Sequence, residues 1–373
     1  MLSAIREKLA LAAQSPKFAR NQLRSRLFDL TRASFPTDIT LFLTDRCNFA
    51  CKMCAYGEAR ADRQSDVRAD MPLDLVDKIS SEAARHGAFI ELFGGEPLLH
   101  REIAEAVRIT SRRNLISVVS TNGLLLPHLA NVLVQSGARI VRISLDGWDD
   151  DSQRIRGNVA GSFRAILEGI RKLAAVKKSA AFPFVRIVTV ITKANFCNLH
   201  RIQSVVYAAG VRHWTILNYQ FITNAAVEAH KRSGFADHFI SDPIGSGGYL
   251  SREQVDGLRQ SLEQVRQNAR STMRDMQVHY PWRVDLNRYY SDLPPSSRTV
   301  CTMPLRRIDV HRDGRIALCG DGYTIGNLHN ETVEIAWTGD RMQTFKNAWR
   351  SPRASFPMCF RCCGIQDTIS FAD

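Results

Sequence analysis

Long apolar runs are missing from this 373-residue sequence. No stretch approaches the roughly eighteen consecutive apolar residues that mark a membrane-spanning helix, so a spanning segment is not expected. The N-terminus lacks the charged, then apolar, then small-residue order of a secretory signal. Internal repeats and low-complexity tracts are missing too. Although the formal net charge is +13, the basic residues are scattered. They form no aromatic-interleaved block of the kind that single-strand binders use, and a nucleic-acid partner is not expected. The cationic excess suits an anionic substrate or surface, with plain solubility as the default reading.

Cysteine is scarce outside two stretches. Nine occur in all, and only Cys197 lies outside 47–54 and 301–363. An odd number without an export signal points to metal ligation in a reducing compartment, not to disulfides. A cytoplasmic location is therefore expected. Cys197, standing alone, reads as a small buried apolar residue.

The first stretch is Cys47-Asn48-Phe49-Ala50-Cys51-Lys52-Met53-Cys54, a C-x3-C-x2-C spacing directly after a strand-like run. A loop of that length can gather three thiolates around one small inorganic core. A structural zinc or a closed cluster wants four protein ligands, and the next histidine, His86, is far off in sequence. Three thiolates on a four-iron cluster leave one iron open to a ligand that is not protein. Gly94-Gly95-Glu96-Pro97 closes the next strand-like run. Its glycines allow a sharp turn and close approach to a ligand, and its carboxylate can accept hydrogen bonds from an ammonium group. A plain strand-to-helix turn explains these four residues equally well by themselves.

Together the two motifs resemble the signature of the radical S-adenosylmethionine (SAM) enzymes. The resemblance implies that Cys47, Cys51 and Cys54 hold a 4Fe-4S cluster whose open iron is chelated by SAM. It implies that the backbone and acid of Gly94, Gly95, Glu96 and Pro97 hold the SAM amino group. Ser120-Thr121-Asn122-Gly123 and Ser144-Leu145-Asp146-Gly147 end the third and fourth strand-like runs. Such residues hydrogen-bond a ligand, cap the next helix or make a turn. The resemblance favours SAM contacts for Asn122 and Ser144. In Arg154-Ile155-Arg156-Gly157 it pairs Arg156 with the SAM carboxylate, where a surface salt bridge is the alternative. Val190 and Ile191 meet adenine or simply fill the core, and Asn195 stands in a matching position or forms a turn. Asp146 faces substrate or stabilises its turn. As the base of the reaction it competes with His230 and His238. Met53 stands where the family often has an aromatic residue, and methionine packs well on flat rings.

Cys301 and Cys319 flank an expected hairpin, Arg307 to His311 and Arg315 to Leu318, around Asp313-Gly314. Cys359, Cys362 and Cys363 follow a helix-like stretch from Thr332 to Trp349. This arrangement resembles the start of the SPASM/Twitch accessory domain of radical SAM enzymes. A full SPASM domain has further cysteines after the C-x2-C pair, and the ten residues after Cys363 contain none. The resemblance therefore implies one auxiliary 4Fe-4S cluster on Cys301, Cys319, Cys359 and Cys362. Cys363 is the alternative to Cys362, and a structural zinc is the alternative to the cluster.

The length suits one barrel-sized domain and a smaller one. Strand-like runs at Ile39 to Thr44, Phe89 to Phe93, Leu115 to Ser120, Ile140 to Leu145, Val185 to Ile191 and Trp214 to Asn218 alternate with helix-like runs. The pattern is α/β, a partial (β/α)6 TIM-like barrel with its chemistry at the C-terminal strand ends. The expected division is a basic helical segment at 1–36, the barrel at 37–222, a connector at 223–300 with a helix from Arg252 to Arg270, and the iron–sulfur domain at 301–373. The basic, amphipathic N-terminal segment is expected to pack on the barrel, with peripheral membrane contact as the alternative.

The resemblance implies reductive cleavage of SAM to a 5′-deoxyadenosyl radical, which removes hydrogen from a substrate. A small polar, sugar-like or anionic substrate is expected. Its net oxidation would use the auxiliary cluster as electron acceptor, making the chain a dehydrogenase-like oxidoreductase supplied by flavodoxin or ferredoxin. One alternative is a maturase acting on a partner-presented peptide, although the 38 residues before the first strand are fewer than the peptide-binding domain of such enzymes. Another is a non-catalytic iron–sulfur electron carrier, which needs no SAM site.

Overall fold

The structure, a computed structural model, describes residues 2–27, 33–51, 53–54, 70–177, 182–221, 224–232, 234–235, 250–291, 301–319 and 322–349. Two helices come first, α1 (Leu2–Gln14) and α2 (Pro16–Leu27). Strands and helices then alternate: β1 (Asp38–Thr44), α3 (Leu73–His86), β2 (Phe89–Gly94), α4 (Ile103–Arg112), β3 (Ser117–Thr121), α5 (Leu126–Gln135) and β4 (Ile140–Ser144). They continue through α6 (Ser162–Lys177), β5 (Phe184–Val190), α7 (Leu199–Ala208) and β6 (His213–Leu217). These six strands are parallel neighbours in chain order, which is the partial barrel expected from the alternating pattern.

Side-chain alternation divides each strand between two environments. Ile39, Leu41 and Leu43 join the main core under the helices. On the other face Phe42 meets Phe93 edge-on. Among the helices, α3 shows how the sequence sets the layer. Leu75, Val76, Ile79 and Ala83 are buried on one face. Gly87 ends the helix at φ +68, and its N–H donates to the Ala83 carbonyl. A side chain at Gly87 would strike the Lys17 backbone at 2.5 Å, so α2 rests directly on this turn.

The N-terminal helices close the lower end of the half-barrel. Leu11 of α1 packs on Ile116, Val118 and Ile140, together with Phe18, Phe89 and Phe184. Phe89, Ile140 and Phe184 are the first residues of their strands. Glu7, only 2% exposed, enters the inner face, accepts from Arg186 Nε at 3.0 Å and pairs with His213 Nε2 at 2.6 Å. Burial alone would raise the Glu7 pKa; the His213 and Arg186 partners outweigh it and hold the carboxyl below its ordinary value. Among the described residues, no helix is long and apolar enough to cross a membrane.

The chain then departs from a six-stranded core and separate connector. After α8 (Asn224–Lys231) and α9 (Arg252–Arg270), β7 (Gln277–His279) pairs parallel to β6. The connector therefore contributes a seventh parallel strand. It is only three residues long, and its pairing, not an apolar run, defines it. The short α10 (Leu286–Tyr289) follows. Next come β8 (Arg307–Val310) and β9 (Arg315–Leu318), antiparallel around Gly314 at φ +77, then β10 (Tyr323–Asn327), α11 (Val333–Thr338) and α12 (Asp340–Trp349). β8 pairs parallel to β1, Asp38 opposite Arg307 and Leu41 opposite Val310. One sheet results, in the order β10-β9-β8-β1-β2-β3-β4-β5-β6-β7. Trp337, fully buried, donates its indole N–H to the Ala33 carbonyl at 2.8 Å.

Candidate functional site

β1 runs directly into the cysteine loop, and the residues before Cys47 are fixed from three sides. The Arg46 guanidinium forks onto Asp70 at 2.7 and 2.9 Å and donates to the Leu99 carbonyl at 2.6 Å. The N–H of Gly95 donates to the Thr44 carbonyl, and that of Glu96 to the Arg46 carbonyl, both at 2.8 Å. Gly94 makes this approach possible. It has φ +127, and a Cβ there would lie 2.5 Å from the Thr44 oxygen. On the far side Asp45 accepts from Arg312 Nε at 2.7 Å, tying the loop to the β8–β9 hairpin.

Glu96 lies beneath the loop and is buried. It accepts from Thr121 Oγ1 at 2.6 Å, Asn122 N at 2.7 Å and Leu98 N at 3.1 Å. Burial pushes its pKa up to about 7, against those three bonds. A carboxylate has about four acceptor positions, so one remains. Pro97 starts a short 3₁₀ turn, Pro97–Leu99, for which Glu96 is the cap. The Asn122 amide reaches across to Asn48 Oδ1 at 2.7 Å, which joins the β3 tip to the cysteine loop.

Asp146 follows β4 and is 0% exposed. Its carboxylate receives Arg156 Nη1 at 2.5 Å and Val190 N at 2.7 Å. Gln153 Oε1 accepts from the N–H groups of Asp146 and Gly147. The Asn195 side chain donates to the carbonyls of Asp146 and Val190, both at 2.9 Å. Asp146 thus binds the β4 and β5 tips together and holds Arg156. Ser144 lies half-buried at the end of β4, opposite Val188. Arg156 closes a 3₁₀ turn, Ser152–Arg156. Its Nε is buried and finds no partner among the described residues. Gly157, at φ +97, lies so close to the cysteine loop that a Cβ would meet Ala50 N at 2.6 Å. Gly157→Ala is expected to displace the loop and at least halve the iron retained after anaerobic reconstitution. Unchanged iron content would show that the loop tolerates the shift.

Cys47 is half-buried, Cys51 buried and Cys54 exposed. Burial pushes the Cys51 thiol up to about 12, while Arg156 draws it down and Cys54, Asp146 and Cys47 add to the rise. The three thiols and Arg156 therefore share one electrostatic neighbourhood. Among the described residues, no three His, Cys, Asp or Glu side chains converge as ligands of a single ion. A four-iron cubane does not ask for that, because each cysteine binds a different iron. The donor set, three soft thiols beside an unpartnered guanidinium N–H, fits a cluster with an anionic non-protein ligand.

Met53 packs on the main core. At the C-terminal site, Cys301 is half-buried and its carbonyl accepts from Trp349 Nε1 at 3.1 Å. Cys319 is exposed at φ +57, a conformation rare outside glycine that costs a non-glycine residue about 1–2 kcal/mol. Cys359, Cys362, Cys363 and His238 lie outside the described residues. His230 is buried, and burial lowers its pKa. Cys197 corrects an expectation: it is exposed, not buried, in the loop after β5, where Asn198 Nδ2 approaches its sulfur at 3.3 Å. The supporting roles of Gln153 and Asp70 have no motif of their own, whereas Thr121 lies in the Ser120-Thr121-Asn122-Gly123 strand end. Gln153 could have been suspected only from its place in the segment that ends at Arg156.

Residues 41–200 match the model of the radical SAM superfamily, and residues 301–363 that of the SPASM iron–sulfur cluster-binding domain. Curated relatives include a probable GTP 3′,8-cyclase of Methanocella arvoryzae, 35% identical over 135 residues, 36% of this chain and 42% of that protein. A GTP 3′,8-cyclase of Microcystis aeruginosa is 35% identical over 130 residues, 32% of this chain and 38% of that protein. The Fe-coproporphyrin III synthase of Methanosarcina barkeri is 29% identical over 152 residues, 40% of this chain and 36% of that protein. The chain thus spans about two-fifths of the length of the curated relatives it matches. Among solved structures, Streptococcus suis SuiB bound to S-adenosylmethionine has a TM-score of 0.62 at 16% identity, covering 88% of this chain and 72% of that one. Native anSMEcpe with bound AdoMet has a TM-score of 0.61 at 14% identity, covering 84% of each chain. These two likenesses are of fold.

Proposed function

We propose that this chain, a member of the radical SAM superfamily with a C-terminal SPASM iron–sulfur domain, oxidises a small polar or anionic substrate by removing hydrogen from an unactivated carbon. The radical SAM domain takes a 4Fe-4S cluster and SAM, and the SPASM domain takes auxiliary iron–sulfur. When bound, the first cluster and SAM supply the carbon-centred radical that removes the hydrogen. Cys47, Cys51 and Cys54 hold that cluster. The carrying observation is the buried Nε of Arg156 beside Cys51, which has no partner among the described residues and suits the SAM carboxylate. The remaining acceptor position of Glu96 and the Gly94–Gly95 backbone receive the SAM ammonium. Asn122 and Ser144 lie at strand tips where the rest of SAM passes, and Val190 and Met53 offer apolar contact to adenine. Asp146, with both oxygens engaged and no exposure, acts in this reading as a positioning residue for Arg156 and not as a base touching substrate.

A polar substrate is supported by the inner face of the barrel. Glu91 accepts from Ser120 Oγ at 2.6 Å and Arg142 Nη1 at 2.5 Å, and Arg307 pairs with Asp309 beside it. The inner face is thus lined by paired polar groups, which a substrate with hydroxyl or anionic groups meets at a lower desolvation cost than an aliphatic one. Two kinds of relative are named for small anionic molecules, GTP and Fe-coproporphyrin III. Electron supply by flavodoxin or ferredoxin and a cytoplasmic location belong to the same reading.

In this reading the auxiliary cluster, on Cys301, Cys319, Cys359 and Cys362, accepts the second electron. Cys319→Ala is then expected to leave SAM cleavage running while product formation falls by at least about a hundredfold. Cys319→Gly should behave alike and fold at least as well, because glycine accepts φ +57 without strain. Product at the wild-type rate from either variant would remove the auxiliary cluster from the electron path.

A further inference from the structure

We propose that the outward face of the α1–α2 pair docks on an anionic membrane surface. The two helices meet at Ser15, whose N–H donates to the Leu11 carbonyl at 3.0 Å and whose hydroxyl caps α2 by accepting from the Phe18 N–H at 3.4 Å. Each helix turns one side to the barrel. Glu7, Leu11 and Phe18 turn to the barrel. Gln14 bonds Asn114, and Asn21 bonds the Gly87 carbonyl. On the opposite side Leu9, Ala13, Pro16, Arg20 and Leu23 recur every three or four residues, and all five are exposed. Lys8 and Lys17, also exposed, flank this stripe.

Leu9 is 64% and Leu23 58% exposed; among the described residues only Ile335, at 55%, is another large hydrophobic exposed to this degree. The sole acidic residue of α1 and α2 is Glu7, which is buried under the barrel. Every exposed charge described on these helices is therefore positive. Apolar residues with cationic flanks are the composition of a helix lying in the headgroup layer, and anionic lipid is the complementary partner. A nucleic-acid partner would call for stacking aromatics, and the stripe has none. Because α1 covers the lower ends of the strands, docking leaves the strand tips and cysteine loop open to a water-borne substrate. The inference is independent of the proposed oxidation.

The test is sedimentation of the full-length chain with vesicles of phosphatidylcholine alone and of phosphatidylcholine with phosphatidylglycerol. Binding to the anionic vesicles alone, weakened at least about tenfold at high salt, is the expected result. Lys8→Glu/Lys17→Glu/Arg20→Glu should bind about a hundredfold more weakly, since each cation near such a surface contributes roughly fivefold. Leu9→Ser/Leu23→Ser should bind at least about fivefold more weakly. All five positions face solvent, so circular dichroism and SAM cleavage without vesicles should match wild type. Equal pelleting with neutral and anionic vesicles, unchanged binding by either variant, or capture of an RNA oligonucleotide without vesicle binding would overturn the proposal.

Discussion

Replacing Cys47, Cys51 and Cys54 together with alanine is expected to abolish 5′-deoxyadenosine formation. The loss should reach the uncatalysed background, a fall of at least roughly 10⁶-fold, because no side chain can replace the reductant at that site. Iron and sulfide content after anaerobic reconstitution, with Mössbauer spectra, should fall from about eight irons to about four, the sum for one cluster at each cysteine site. About four falling to none, with zinc present, would make the C-terminal site structural. Continued 5′-deoxyadenosine production would overturn the assignment of the loop. The loop also makes a chemical prediction without metal. With its thiol near 12, Cys51 carries only about one part in ten thousand of reactive thiolate at pH 8, and it is buried. Iodoacetamide should therefore modify exposed Cys54 well before Cys51 in the metal-free chain.

The second large effect is expected at Asp146. Asp146→Asn keeps the shape but removes the charge facing Arg156, which is itself mostly buried. Removing one partner of a buried pair costs about 3–5 kcal/mol, readable in denaturant unfolding. SAM cleavage should fall at the same time, since the guanidinium loses its anchor. The two consequences separate in the double variant Asp146→Asn/Arg156→Met. No charge is then left buried alone, so most of the stability returns. SAM affinity stays about 10- to 100-fold reduced, the worth of one charge-assisted hydrogen bond. A double variant that binds SAM normally would leave Arg156 with a structural role only.

These sites were legible because they combine residue types with fixed spacing. The C-x3-C-x2-C run and Gly94-Gly95-Glu96-Pro97 each follow an apolar strand, and strand polarity alone then places both at one end of the sheet. The helix Arg252–Arg270 was equally plain, since its stripe of Val255, Leu258, Leu262 and Val265 is apolar and Ser251 with Gln254 forms a capping box. What escaped the sequence depends on distant partners. β7 has one apolar residue in three, so only pairing with β6 defines it. The junction of β8 with β1 joins segments with no local signal for each other. Glu7 carries no local signal of burial, which becomes visible only when Arg186 and His213 arrive across the barrel floor. Cys197 failed for the opposite reason: a single cysteine carries no pattern, so its burial was only a preference of the residue type.

The junction of β8 with β1 also shapes how the chain is made. Thr37, just before β1, donates to the Arg306 carbonyl, a partner 269 residues later. At roughly 5–20 residues per second, the ribosome needs on the order of 15–50 seconds between the two. During that interval β2 to β6 can assemble beside β1, yet its other edge has no mate. The strand is buried along nearly its whole length in the finished molecule, so the nascent chain displays an apolar edge of the kind that recruits other unfinished chains. Parallel pairing over so long a loop is also slow to close. The parallel strands β1 to β6 therefore emerge first, and the free edge of β1 is covered only when β8 arrives from the final quarter of the sequence.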